Sequence, residues 1–470
     1  MSKVEAKALS FREKLSFGLG DISHGLSVSS ITVWFLYYLT DVAGLSPFLA
    51  GLAVTIGRLW DAVTDPVMGW VTDNTTSRWG KRLPYLLFGA VPYAGAYFAL
   101  WAVPAFESEI HMFIYVTLSL LLFNTCLTVV FVPYTSLTAA LTVDYDERTS
   151  LTGFRMVSSQ VAFLVGAVVP VSITTYLIAN APEGSWRIDY FGSWAGTARE
   201  GYLVMGGIFS VIMILSIWTT FFGCSERKDI QTGKSEFGGP LNYALLVFDQ
   251  LKKNRPYLIA VSLLLLCNSA ATMAASNLPY YLQYILGMES ERQKILGILF
   301  LSAIISVSVW VFIAKKIGKV ETLRIALVLY ITLLLILPFL DIDSGRILPL
   351  LSVAIGICHA ACLTIPWAII PDVVEYDQLD SGKRREGLFY GGTTFSYKAA
   401  TGVAFLIGSS VLQLSGYEAG VEQGKAADLA IRLLVGLVPA FFLFLAFFLT
   451  FKYSLNREKY DEIRQKLSLS

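Results

Sequence analysis

A chain of 470 residues that is 55% hydrophobic and only 15% charged, with a mean hydropathy of +0.61, is too apolar for a soluble protein of two or three domains. Its net charge of +1, from 36 Lys and Arg against 35 Asp and Glu, gives no footing for a nucleic-acid partner. The five cysteines (Cys126, Cys224, Cys267, Cys358, Cys362) lie in or beside apolar segments, so no disulfide framework is expected, and the polar start with Lys3, Lys7, Arg12 and Lys14 predicts no cleaved signal peptide.

Apolar stretches long enough to cross about 30 Å of hydrocarbon occupy residues 16–39, 47–71, 83–103, 112–141, 151–178 and 202–222. After a polar stretch, six more follow at 257–286, 295–314, 323–340, 347–370, 388–414 and 429–451. They are continuous runs and not ten-residue alternations, so helices are expected over barrel strands. The expected fold is an all-α membrane protein of 12 transmembrane helices in two pseudo-symmetric six-helix bundles. The expected domains are an N-terminal bundle at 1–222, a cytoplasmic linker at 223–255, and a C-terminal bundle with its tail at 256–470. The inner loops and tails, with Arg155 and Arg324 just inside the adjoining spans, carry 27 Lys and Arg and the outer loops 6, which is expected to put both termini in the cytoplasm. Val132-Pro133-Tyr134 recurs as Ile365-Pro366-Trp367, 233 positions later, each with an Asp eleven residues after the proline (Asp144, Asp377). That offset pairs the fourth helix with the tenth, as two related halves require.

The second span holds the least affordable residues. Arg58, Asp61 and Asp65 are spaced i, i+3, i+7 and share one helix face. An ionised group in mid-membrane costs at least about 2.5 kcal/mol. Two carboxylates one turn apart repel by about 3 kcal/mol at an effective dielectric near 20, and a bound cation or a proton relieves that repulsion. The pair therefore reads as a cation site, with Thr64 beside it and Asn124, Thr125 and Thr128 at similar depth on the fourth helix as hard oxygen donors. The competing reading is an internal salt bridge in which Arg58 neutralises one Asp and the other is protonated. Lys398, ten residues into the eleventh helix, is too deep to snorkel easily and needs an anionic partner: the acid pair, or a substrate group.

Asp73 with Arg78 reads as a gate latch at the inner end of the second span, while Lys81 and Arg82 read as anchors at the inner surface. Asp21 on the first helix faces the pathway or the inner surface, and His24, three residues on, is a polar group in an apolar segment. Trp367 and Tyr397 supply aromatic faces. Gly233-Lys234-Ser235 lacks the earlier glycine of a phosphate-binding loop, and no HExxH or CxxC pattern occurs, so no enzyme and no resident cofactor is expected.

Arg58-Leu59-Trp60-Asp61-Ala62-Val63-Thr64-Asp65-Pro66, Ser77-Arg78-Trp79-Gly80-Lys81, Val132-Pro133-Tyr134, Glu147-Arg148-Thr149-Ser150-Leu151 and 382–391 (GKRREGLFYG) resemble the glycoside-pentoside-hexuronide:cation symporters, the major facilitator branch typified by melibiose permease. The resemblance runs over nearly the whole chain. It implies Na⁺, H⁺ or Li⁺ at Asp61 and Asp65, with Thr128 and Thr64 alongside. It makes Lys398 a coupling residue beside Arg58, and associates Trp367, Thr394 and Arg155 with the substrate. The two acids that grip the galactoside in melibiose permease correspond here to Gly25 and Phe131, and other members carry an Asp where Asp21 stands. The implied function is cation-coupled symport of a sugar, glycoside, pentoside or hexuronide by alternating access. Lysophospholipid symporters resemble the same acids and lysine, and a non-transporting sensor would keep the fold without the cycle. The implied setting is a monomer in the lipid bilayer of a plasma membrane, the inner one in a bacterium.

Overall fold

The computed structural model describes residues 9–142, 144–179, 198–226, 254–381 and 386–455, with 459 and 462. Most of the expected linker, and the Gly382 to Arg385 part of the last family-like motif, lie outside them. Every regular element among the described residues is helical. Ten helices there are long and apolar enough to cross a membrane. The twelve-span reading counts two more stretches, 16–39 and 47–71, which the structure places in elements covering 11–42 and 47–74.

The first of these is not one helix. Ser10 and Glu13 form a reciprocal capping box that starts α1 (Phe11–Leu19). The helix stops because neighbours take its last carbonyls: the Tyr134 hydroxyl donates to the Phe17 oxygen at 2.6 Å, and Thr220 donates to Ser16 at 2.9 Å. Helix α2 (Ile22–Ser30) follows, and Ser27 and Ser30 reach the hydroxyls of Tyr93 and Tyr97 at 2.7 Å each. The chain then widens into π turns at Ile31–Phe35 and Tyr38–Val42, and leaves through Gly44 at φ +86. The second stretch is α3 (Pro47–Asn74), 28 residues and so about 42 Å long, which carries Arg58, Asp61, Asp65 and Asp73.

The rest of the first half is α4 (Leu83–Trp101), α5 (Glu109–Leu141), α6 (Tyr145–Ala179) and α7 (Ala198–Gly223). The second half begins with α8 (Arg255–Tyr280) and a π turn at Tyr281–Ile285, followed by Gly287 at φ +60. Then come α9 (Arg292–Ile317), α10 (Lys319–Ile336), α11 (Leu348–Ser381), α12 (Glu386–Leu414), α13 (Lys425–Val435) and α14 (Leu437–Thr450). The expected last span is split at Gly436, where the Pro338 ring occupies the place a side chain would need.

By their contacts the residues sort into two units, 1–45 with 63–240, and 46–62 with 241–470. In the first, α2 packs on α6, and α4 lies against both α5 and α7. In the second, α9 packs on α11, and α8 lies against α11, α12 and α14. The N-terminal part of α3 belongs with the second. Large apolar side chains such as Phe88, Leu118, Leu215, Ile305 and Leu350 are exposed, whereas serines, threonines and carboxylates are buried. A water-soluble protein would not leave so much contiguous apolar surface uncovered; hydrocarbon covers it at no cost.

Candidate functional site

Asp61 has no exposed surface, and its Oδ2 lies 2.8 Å from the Lys398 ammonium on α12, which keeps 18% of its side chain accessible. Small residues permit the approach. Gly402 on α12 sits where an added Cβ would lie 3.3 Å from the Arg58 Cβ, and its carbonyl accepts from the Thr55 hydroxyl at 2.8 Å. Arg58 is half-buried within electrostatic reach of Tyr397. Lys398 therefore pairs with an acid on α3, as its depth required.

In the first unit, Asp65 accepts from the Thr128 hydroxyl at 3.0 Å, and the Thr64 and Thr128 hydroxyls are 3.2 Å apart. This places one carboxylate and two neutral oxygens together, donors of the type a hard monovalent cation takes. Asn124 and Thr125 turn back to their own helix, donating to Leu120 and Leu121 at 2.8 and 2.7 Å. No group of three or more His, Cys, Asp or Glu side chains able to hold a metal ion occurs among the described residues.

The residues associated with substrate divide. Asp21, 3% exposed, lies 3.6 Å from the Arg155 Nε. His24 stacks on Phe131 with ring centres 3.9 Å apart and planes at 22°. A cavity of about 10 Å³, room for one water, is lined by Ser23, Phe131 and Tyr134. In the second unit Trp367 tilts against Tyr397 at 5.7 Å, and Thr394 is half-buried one turn before Lys398. Gly25 serves a different end. A Cβ there would lie 2.6 Å from the Ser159 carbonyl and 2.7 Å from the Ala162 Cβ, so the glycine lets α2 and α6 touch. Gly25→Val is accordingly expected to lower stability by about 1–3 kcal/mol, read as an earlier thermal transition of the purified protein; an unchanged transition would show that the contact has slack.

The expected latch is not formed. The Arg78 guanidinium lies over the Trp79 ring at 4.0 Å, and the Asp73 backbone carbonyl, not its carboxylate, accepts from Lys81 at 3.1 Å. The acid at this place is Glu226, just after α7. It accepts from the backbone N–H groups of Lys81, Arg82 and Leu83 at 2.9, 2.5 and 3.0 Å, capping the otherwise unsatisfied start of α4. Arg82, expected as a surface anchor, is 4% exposed and donates to the Ser136 hydroxyl at 2.7 Å. Sequence reasoning also passed over Lys319, whose ammonium meets both Asp372 oxygens at 2.6 and 2.7 Å. Fifty-three positions separate the two, and nothing local signals the pairing.

Ten helices long and apolar enough to cross a membrane, with carboxylates and basic groups buried among the described residues, are the setting of a membrane protein, and the comparisons with known proteins give its class. The chain belongs to the MFS/sugar transport protein family, whose profile matches residues 16–457. It is a multi-pass secondary transporter of the major facilitator type. It is similar to an uncharacterized symporter of Synechocystis (28% identical over 99% of this chain and 98% of the relative). It is also similar to the sphingosine-1-phosphate transporter MFSD2B of Xenopus tropicalis (29%; 93% and 86%) and to the sodium-dependent lysophosphatidylcholine symporter 1-A of Danio rerio (27%; 98% and 89%). Its fold resembles the nucleoside transporter NupG (TM-score 0.64, 13% identical, 94% of this chain and 99% of that one). It also resembles a bacterial homologue of the human lysosomal transporter Spinster (TM-score 0.68, 12%; 94% and 95%).

Proposed function

We propose that the protein is a cation-coupled symporter whose coupling ion, Na⁺ or H⁺, binds at Asp61 and Asp65 on α3 and whose substrate is a lysophospholipid or similar amphiphile with a charged headgroup. The observation that carries the reading is the fully buried Asp61 held by the partly accessible Lys398, with Asp65 one helical turn further on among the Thr128 and Thr64 hydroxyls. A lysine that occupies the acid in the absence of the ion, and is released when the ion binds, links ion occupancy to the position of α12. Twelve spans, cytoplasmic termini, a plasma-membrane location and a working monomer complete the proposal.

The choice of amphiphile rests on the relatives with a stated cargo and on Gly25 and Phe131, which stand where melibiose permease has galactoside-binding acids. A sugar or glycoside is the second reading. It is favoured by the Trp367 and Tyr397 rings, which offer a stacking face, and by the glycoside-pentoside-hexuronide resemblance. Thermal unfolding against lysophosphatidylcholine, sphingosine-1-phosphate and a panel of glycosides, each with and without Na⁺, separates the two. A ligand at a hundred times its Kd stabilises the folded state by about 2.7 kcal/mol. The expected result is stabilisation by lysolipids that grows with Na⁺. Stabilisation by glycosides alone would transfer the proposal to the second reading, and a response to neither would remove both.

A further inference from the structure

Where α3 meets α12 in the second unit, the charges do not balance. Beyond the first residues of α8 and α12, the only charged side chains on these two helices and on residues 47–62 of α3 are Arg58, Asp61 and Lys398. Two cations therefore share one carboxylate. Lys398 takes it, at 2.8 Å from the Asp61 Oδ2. Among the described residues no carboxylate lies within 4.0 Å of the Arg58 guanidinium, and none of its N–H groups has a hydrogen-bond acceptor.

Depth makes that arrangement costly. Arg58 is the twelfth of the 28 residues of α3, about 17 Å along the axis from one end and about 24 Å from the other. Its stem is too short to carry the charge to either interface, and a charge at such depth is retained where it meets an opposite one. The side chain is half-buried, its backbone approaches α12 at Gly402, and Tyr397 stands within its electrostatic reach. Tyr397 in turn lies against Trp367, with ring centres 5.7 Å apart.

We infer that Arg58 seats the phosphate group of the substrate, an anionic phosphate ester on a single-chain lipid, one helical turn from Asp61. This role rests on the lysophospholipid reading above and narrows it to the phosphate of the headgroup. The planar fork of a guanidinium matches two phosphate oxygens at once, whereas an uncharged sugar would leave the charge unmatched. Ion coupling follows from the same three residues. With Lys398 on Asp61 they sum to one positive charge. A cation at Asp61 raises the sum to two, so the anion binds more tightly once the ion is seated, and by linkage the ion binds more tightly once the anion is seated.

The test is equilibrium binding of lysophosphatidylcholine, and of the monoacylglycerol with the same acyl chain, to the purified full-length chain in detergent. The wild-type protein is expected to prefer lysophosphatidylcholine, and Na⁺ or a lower pH to tighten that lipid severalfold while leaving monoacylglycerol unchanged. Arg58→Gln is expected to weaken lysophosphatidylcholine roughly ten- to a hundredfold, the range for losing hydrogen bonds to a charged group, and to spare monoacylglycerol. Arg58→Lys, which keeps the charge and loses the fork, should fall between. Thermal stabilisation by the ion alone should persist in both variants, since Asp61 and Lys398 are intact. Three results would each overturn the role of Arg58 and leave the lysolipid reading in place: unchanged lysophosphatidylcholine affinity in Arg58→Gln, an equal loss of both lipids, or wild-type binding in which neither Na⁺ nor a lower pH favours lysophosphatidylcholine over monoacylglycerol. Binding of neither lipid by the wild-type protein would remove that reading, and this role with it.

Discussion

Asp61→Asn is expected to abolish cation-driven accumulation of substrate while leaving the protein expressed and folded. Asn has the shape of Asp and keeps one oxygen, but it removes the charge that both Lys398 and an incoming cation compete for. In the proposed cycle, coupling depends on that competition. One monovalent charge moving down 100 mV supplies about 2.3 kcal/mol, enough for roughly fiftyfold accumulation. The variant should fall from that level to simple equilibration in proteoliposomes carrying a Na⁺ or H⁺ gradient. Asp65→Asn is expected to do the same through the Thr128 cluster. Undiminished gradient-driven uptake in both variants would mean that these acids are structural and that the ion binds elsewhere.

The second large effect concerns stability. Lys398→Met leaves Asp61 with no exposed surface and without its lysine. Removing one partner of a buried pair costs about 3–5 kcal/mol, because the remaining charge is stranded away from water. Two recoveries distinguish a working ion site from a passive salt bridge. Adding Asp61→Asn to Lys398→Met should restore most of the loss, since a neutral amide needs no counter-ion. In the single variant Na⁺, Li⁺ or a lower pH should also recover part of it, because a cation or proton then takes the place of the ammonium group. If the double change restores stability but no cation does, the pair is only an ion pair, and the coupling proposal loses its main support.

The fold class was legible because hydrocarbon imposes a single demand, about twenty apolar residues that satisfy their own backbone, and composition alone answers it. The carboxylates on α3 and the lysine on α12 were legible for the complementary reason: charge at that depth is too costly to be incidental. What the sequence hid depends on distant contacts. Tyr134 and Thr220 end α1 at Gly20 by capturing its carbonyls from other helices, so an apolar run at 16–39 gave no hint of the break. Glu226 replaced Asp73 as the acid near the α4 start because a carboxylate after α7 meets three amide groups, a geometry that charge counting along a loop cannot supply. Gly25 stands, by resemblance, where a galactoside-binding acid stands in melibiose permease, and its close approach to α6 depends on distant contacts that the sequence does not show.

The π turns that follow α2 and α8 bear on the ancestry of the chain. Tyr37-Tyr38-Leu39 and Tyr280-Tyr281-Leu282 are 243 positions apart, and each is followed five residues later by a glycine with positive φ, Gly44 or Gly287. Each second tyrosine accepts at its carbonyl from the amide five residues on, at 2.8 and 3.2 Å, and donates its hydroxyl to a backbone oxygen where a later helix ends, Trp101 or Leu337. So detailed a joint built twice marks a duplicated half-length ancestor. The duplicates have since diverged in chemistry and kept their carpentry: α3 bears acids at 61 and 65, whereas the corresponding helix of the other copy, α9, has no carboxylate from Arg292 to Ile317.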